Sequence, residues 1–187
     1  MTEETVGRCF FGRPDRDLPD EESMNSIVPE FWVRMDPQLN CRDPELQEIL
    51  NYWDGKRGGR ELPSRADIDP LELRRHLGNV ILIDVEHAPF RLRYRLIGTR
   101  ITALMGRDST GKYYDEIYDP SLLSSIYRSF EWMLEHRKPL RTHGEAFYAD
   151  RNFYEYETLN LPLSSDGAVI DKVLGGLYFH SKEPPGG

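Results

Sequence analysis

The chain has 187 residues, with 24 Lys and Arg against 32 Asp and Glu, a net charge of −8 and two cysteines. This length can bury roughly 70% of the unfolded surface in one domain without a disulfide or metal staple. The scattered basic residues in an acidic chain argue against nucleic acid and anionic lipid as partners, and no apolar run approaches the ~20 residues of a membrane span.

The first 25 or so residues, rich in charge and proline, read as a mobile extension. Their acids and short apolar run are unlike a secretory signal. Cys9 and Cys41 show neither C-x-x-C nor metal-ligand spacing, so they read as free thiols in a reducing compartment. The expected location is cytoplasmic. "IVPEFWVRM" (27–35) is more apolar and suited to dock on the domain or on a second subunit.

Asp43-Pro44 then opens an amphipathic helix closing at Gly55, with Leu46, Ile49, Leu50 and Trp53 at helical spacing. Asp69-Pro70 repeats the signal, with Glu72 placed for a capping box and Gly78 as the stop. Asp119-Pro120 starts a longer helix to about His136. Strands are expected at 80–86 and 91–98, the latter alternating so that Leu92, Tyr94 and Leu96 share one face and Arg91, Arg93 and Arg95 the other. The "HAP" link makes this pair an antiparallel hairpin. Thr99 can cap a brief helix. Strands at 140–149, 153–163 and 172–180, joined by "DRN" and "SSDG" turns, complete an α+β pattern: a five-stranded antiparallel sheet with helices on one face.

"GRDSTGKY" (106–113) spells all but the last letter of a phosphate-binding loop, and "VILID" (80–84) resembles a magnesium-holding strand. A phosphate loop must follow a buried parallel strand and open a long helix. This one follows a short helical turn, has Tyr113 in place of the Ser/Thr ligand, and comes after "VILID" instead of before it. Gly106 and Gly111 are better read as turns with positive φ, and Lys112 as a solvated side chain.

With these elements placed, "LPSRADIDPLELRRHLGNVILIDVE", "RLRYRLIGTRITALMGRDSTGKYYDEIY" and "LNLPLSSDGAVIDKVLGG" resemble, in order, a bacterial and mainly alphaproteobacterial family of stand-alone PAS-like proteins. The resemblance covers about 62–176. It implies a PAS fold, with a five-stranded antiparallel sheet, flanking short helices and one long helix. The domain organisation expected is an extension at 1–42 and a PAS-like domain with its preceding amphipathic helix at 43–183. PAS domains sense small molecules, bind haem or flavin, or mediate dimerisation, so the implied role is a sensory or adaptor module of signalling without enzymatic activity. The alternative is a small α+β enzyme or cofactor-binding protein with a cystatin-like cavity.

The residues name no cofactor. The five histidines sit singly on different elements, with His143 the one expected to point inward, and no metal-ligand set is formed. Neither cysteine lies in the PAS-like region, where a flavin photosensor would need one. Glu155 and Glu157 in "YEYE" share a strand face opposite Tyr154 and Tyr156, and read as a solvated face. No Ser/His/Asp arrangement appears. A ligand site is expected from Tyr94, Leu96, Met105, Tyr113, Tyr127 and Phe130, because buried phenols need hydrogen-bond partners that a ligand can supply. Leu46, Ile49, Leu50 and Trp53 would cover the outer sheet face in a monomer. The PAS resemblance instead suggests them as a homodimer contact, alongside a signalling protein partner.

Overall fold

The computed structural model describes residues 33–147 and 153–181. The expected extension at 1–25, the docking of 27–32 and the "DRN" turn therefore lie outside the described residues. Among those described, six antiparallel strands form one sheet: β1 (Arg34–Asp36), β2 (Val80–His87), β3 (Phe90–Ile97), β4 (Leu140–Phe147), β5 (Phe153–Leu163) and β6 (Lys172–Ser181). Their order across the sheet is β1-β4-β5-β6-β2-β3. Five are the strands expected; the sixth, β1, pairs with β4 through Arg34–His143 and Asp36–Arg141. The expected count of five is thus corrected, because a three-residue strand carries no alternation to read.

Among the described residues three α-helices accompany the sheet: α1 (Pro44–Lys56), α2 (Thr99–Met105) and α3 (Pro120–His136). The chain crosses from one side of the sheet to the other through α3, between β3 and β4. A cystatin-like cone of consecutive hairpins behind an N-terminal helix is not formed. No helix among the described residues is long and apolar enough to cross a membrane.

The aspartates begin the helices as expected. Asp43 Oδ1 accepts the Glu45 amide at 2.8 Å, and Asp119 Oδ1 accepts those of Ser121 and Leu122 at 3.0 and 3.1 Å. The helix expected between Asp69 and Gly78 does not form. The amides of Glu72, Arg74, His76 and Asn79 each bond the carbonyl three residues back. This tighter winding puts buried Leu73 and His76, three apart, on the same side. Glu72 closes no capping box and instead pairs with Lys56 at 2.5 Å.

The two sheet faces are set by a bulge. Ile83 opposes Tyr94 but Leu82 opposes Leu96, so Arg95 is an extra residue on β3. Beyond it the alternation inverts: Tyr94 is buried, while Leu96 is 43% exposed on the opposite face. The expected grouping of Leu96 with Leu92 and Tyr94 is corrected on this ground.

On the outer face, register places Leu159, Leu161 and Leu174 on the same side as Gly176. This apolar strip needs cover, and α1 supplies it. Leu46 and Ile49 are fully buried, and the Trp53 Nε1–H donates to the Pro162 carbonyl at 3.0 Å. Burying each such side chain stabilises by about 1.5–3 kcal/mol. The homodimer contact expected through Leu46, Ile49, Leu50 and Trp53 is therefore not available: three are buried within their own chain and Leu50 packs half-buried on the same core.

Next to α1, Glu157 is 2% exposed, not solvated as alternation suggested. Its carboxylate accepts the Arg42 and Asp43 amides at 2.8 and 3.1 Å and pairs with Arg141 Nε. Arg141 Nη1 also reaches Asp36 Oδ2 at 3.0 Å. One buried ion network thus ties β1 and the start of α1 to the middle of the sheet.

Candidate functional site

Between the inner sheet face and α3 lies a cavity of about 80 Å³. Ile81 and Ile83 of β2, Tyr94 of β3 and Tyr156, Thr158 and Asn160 of β5 form its floor. α3 closes it with Leu122, Ile126, Ser129 and Phe130. The segment between α2 and α3 adds Tyr114 and Tyr118. Tyr114–Glu116 is a single tight helical turn, and the Tyr118 amide bonds the Tyr114 carbonyl at 2.9 Å. That spacing of four turns both rings toward the sheet.

The wall is aromatic and carries neutral hydroxyls. The Tyr94 and Tyr118 hydroxyls are 2.5 Å apart, and the Tyr114 ring centroid lies 4.3 Å from that of Tyr94. Phe130 meets Tyr114 edge-on at 6.3 Å. Burial pushes the Tyr94 and Tyr114 phenols well above the usual tyrosine range, and it raises Tyr156 as well. All three therefore stay protonated. Among the described residues Asn160 Nδ2 makes long bonds, 3.4 Å to the Leu140 carbonyl and 3.5 Å to Thr142 Oγ1, at the outer limit for this geometry. A small polar group on a ligand could improve on them.

Of the six residues expected to line a site, the structure brings Tyr94 and Phe130 to this wall. Met105 is buried in the core but does not line the cavity. Tyr113 turns outward, donating to Glu86 at 2.8 Å under a stacked Arg91 guanidinium 3.6 Å from its ring. Tyr127 packs edge-on against Phe90 at 4.9 Å, and Leu96 faces out beyond the bulge. Tyr114, Tyr118 and Tyr156 were missed as site residues. For Tyr156 a signal existed, since alternation already set it opposite Glu155 and Glu157. His143, expected to point inward, lies opposite Arg34 on the outer side, and Thr142 takes the inward position.

The volume limits what fits. Pockets for drug-sized ligands run about 300–1,000 Å³, and a water occupies about 30 Å³ of liquid. A cavity of about 80 Å³ suits a molecule of few heavy atoms and not a haem or flavin. Among the described residues no group of three or more His, Cys, Asp or Glu could hold a metal ion. Cys41 lies on the outer side, half-buried, its thiol pushed up to about 11 by burial and by Glu157. Such a thiol is a poor nucleophile.

The "GRDSTGKY" loop serves the sheet and not a phosphate. Gly106 and Gly111 have φ of 67° and 85°, and Lys112 is exposed. The Gly111 amide donates to the Tyr94 carbonyl at 2.7 Å, and the Tyr94 amide to the Lys112 carbonyl at 3.0 Å.

The sequence matches a family model described as PAS domain over residues 41–178. No curated protein matches it significantly. Among solved structures, it aligns with an RNA-binding light-oxygen-voltage receptor at 18% identity and a TM-score of 0.42, covering 62% of this chain and 35% of the receptor. The chain thus spans about a third of that protein's length. It aligns with the PAS domain of a protein from Colwellia psychrerythraea at 12% identity and a TM-score of 0.43, covering 62% of this chain and 100% of that one. A sensory box histidine kinase/response regulator from Burkholderia thailandensis E264 aligns at 14% identity and a TM-score of 0.38, covering 59% and 84%.

Proposed function

The chain belongs to the PAS domain family, and from that premise we propose that it is a sensory signalling module whose cavity takes a small, largely apolar ligand. The observation that carries this reading is the Tyr94–Tyr118 hydroxyl pair on the wall of the cavity between sheet and α3. A wall of apolar and aromatic groups with a few convergent polar atoms orients a ligand while its body stays dry. Tyr94, Tyr118, Phe130 and Asn160 are the residues that would contact it. The role is binding, not catalysis.

The ligand acts by preferring one arrangement of the walls over another. Tyr114, Tyr118 and α3 form the wall that is not sheet, so occupancy biases their packing, and α3 presents that shift to a signalling partner. Self-association, where it occurs, must use a surface other than the covered face of α1.

Amide NMR titration with phenol and 2-butanol tests the site. Shifts concentrated at Tyr94, Tyr118, Phe130 and Asn160, weakened by Tyr94→Phe, are the expected result. No shift at millimolar concentration with either probe, together with no retained small molecule in native mass spectrometry, would refute the reading.

A further inference from the structure

The cavity under α3 has no charge on its wall. Among the described residues no Asp, Glu, His, Lys, Arg or Cys lines it, and its ionisable groups are phenols. Burial keeps those of Tyr94, Tyr114 and Tyr156 protonated. Charged residues next to the lining positions are turned away and engaged. Arg93, beside Tyr94, reaches Asp84 on the outer face at 2.8 Å, and Arg141 and Glu157, beside Thr142 and Thr158, pair with each other there. Arg128 and Glu131 of α3 are exposed. The start of α3, whose amides would suit an anion, is already taken: Asp119 Oδ1 accepts those of Ser121 and Leu122.

An ion moved into such a space gives up its water and meets no counter-ion, and the few neutral polar atoms of this wall replace little of a hydration shell. What they match is a neutral polar atom. The Tyr94 and Tyr118 hydroxyls stand 2.5 Å apart on one wall, and buried Asn160 adds an amide whose Nδ2 bonds are stretched. A protonated phenol and an amide N–H both donate, so the complementary atom on a ligand is an acceptor oxygen.

We propose that the cavity takes its ligand in uncharged form, as a short-chain carbonyl compound whose oxygen accepts from the Tyr94–Tyr118 hydroxyl pair and whose apolar body packs against Ile83, Ile126 and Phe130. This rests on the reading of the cavity as a ligand site. The same wall rejects the carboxylate or the cation of equal shape, so the discrimination is by charge and not by size.

A set of isosteres separates charge from shape: 3-methyl-2-butanone, isobutyramide, isobutyrate and isobutyramidinium, each titrated into the whole chain at neutral pH and matched ionic strength, with amide NMR as the readout. The ketone and the amide are expected to shift Tyr94, Phe130 and Asn160 saturably, and the two ions to bind at least about a hundredfold more weakly. Either ion binding within about tenfold of the ketone overturns the proposal. The oxygen contact is read from the carbonyl carbon of labelled ketone. In the double variant Tyr94→Phe, Tyr118→Phe, once its amide spectrum shows it folded, that resonance should move upfield or ketone binding should be lost; an unchanged resonance at unchanged affinity overturns the contact. The isostere comparison needs no substitution and decides the charge question whether or not this variant folds. If phenol and 2-butanol shift these residues while neither ketone nor amide does, this inference falls and the cavity stands. If phenol and 2-butanol fail as well, both fall.

Discussion

Leu46 sits directly on Gly176: a β carbon at that glycine would stand 2.8 Å from Leu46 Cδ2 and 3.0 Å from Ile49 Cδ1. Both side chains are fully buried, so neither can swing into solvent to make room. The backbone of β6 therefore sets how closely α1 approaches the sheet.

Gly176→Ala should lift α1 and cost roughly 1–3 kcal/mol, the range for overpacking a tight core. Gly175, one residue earlier, lines the cavity, and its nearest neighbour to an added methyl is 3.4 Å away. Gly175→Ala should leave urea stability within about 1 kcal/mol and narrow the cavity, weakening small ligands. Equal destabilisation by the two would show that α1 is not seated on Gly176.

The Tyr94 and Tyr118 hydroxyls, 2.5 Å apart, should be energetically coupled. Tyr94→Phe and Tyr118→Phe are each expected to cost about 1 kcal/mol, and the double variant less than their sum. A urea-unfolding double-mutant cycle gives the coupling, expected at about 0.5 kcal/mol or more. Strict additivity would mean that the pair does not act as a unit.

Acid should destabilise the fold in two stages. Burial and then Arg141 hold the His143 pKa below its ordinary value near 6.5. The unfolded chain thus binds that proton first, and stability falls as pH drops below about 6.5. For Glu157 burial acts to raise the pKa, but Arg141 and the Arg42 and Asp43 amides outweigh it, holding the carboxyl below its ordinary 4.5. Its contribution is present above that pH and lost as pH falls through the folded value. Urea midpoints between pH 7.5 and 3.5 should show both legs. His143→Asn should flatten the upper one. Glu157→Gln should remove the lower one and cost about 3–5 kcal/mol at neutral pH, since it breaks a buried pair.

Cys41 should resist alkylation. With its thiol at about 11, the thiolate fraction at pH 8 is about two orders of magnitude below that of an ordinary thiol near 8.5. In a Cys9→Ser background, iodoacetamide labelling at pH 8 is expected to be slow and to quicken in Glu157→Gln. Labelling at the rate of a free peptide thiol would contradict the burial described.

The helices begun by Asp43-Pro44 and Asp119-Pro120 were legible because capping is local: the aspartate and the amides it accepts lie within four residues of one another. Alternation likewise revealed the inward Leu92 and Tyr94. It failed one step later, at Arg95, because an inserted residue leaves no mark on a pattern of apolar and charged letters. For Glu157 alternation gave the correct face but not what lies over it, and the start of α1 turned a surface acid into a buried one. Tyr114 and Tyr118 were missed because their direction comes from a single tight turn between the loop bounded by Gly106 and Gly111 and the start of α3, too short for any periodicity. Arg34–Asp36 joins the sheet through backbone bonds, which the identity of its side chains does not announce.

That short β1 strand has a protective consequence. A sheet end with unsatisfied amides invites another chain to add on, and proteins blunt such ends with brief, charged or proline-flanked segments. Here the flank of β4 is covered by three residues, two of them charged, followed at once by Pro37, while at the opposite end Gly111 and Lys112 occupy the flank of β3 beside Tyr94. A truncation starting at residue 38 would bare the stretch of β4 from Arg141 to His143, and the shortened protein should form soluble oligomers or precipitate where the whole chain does not.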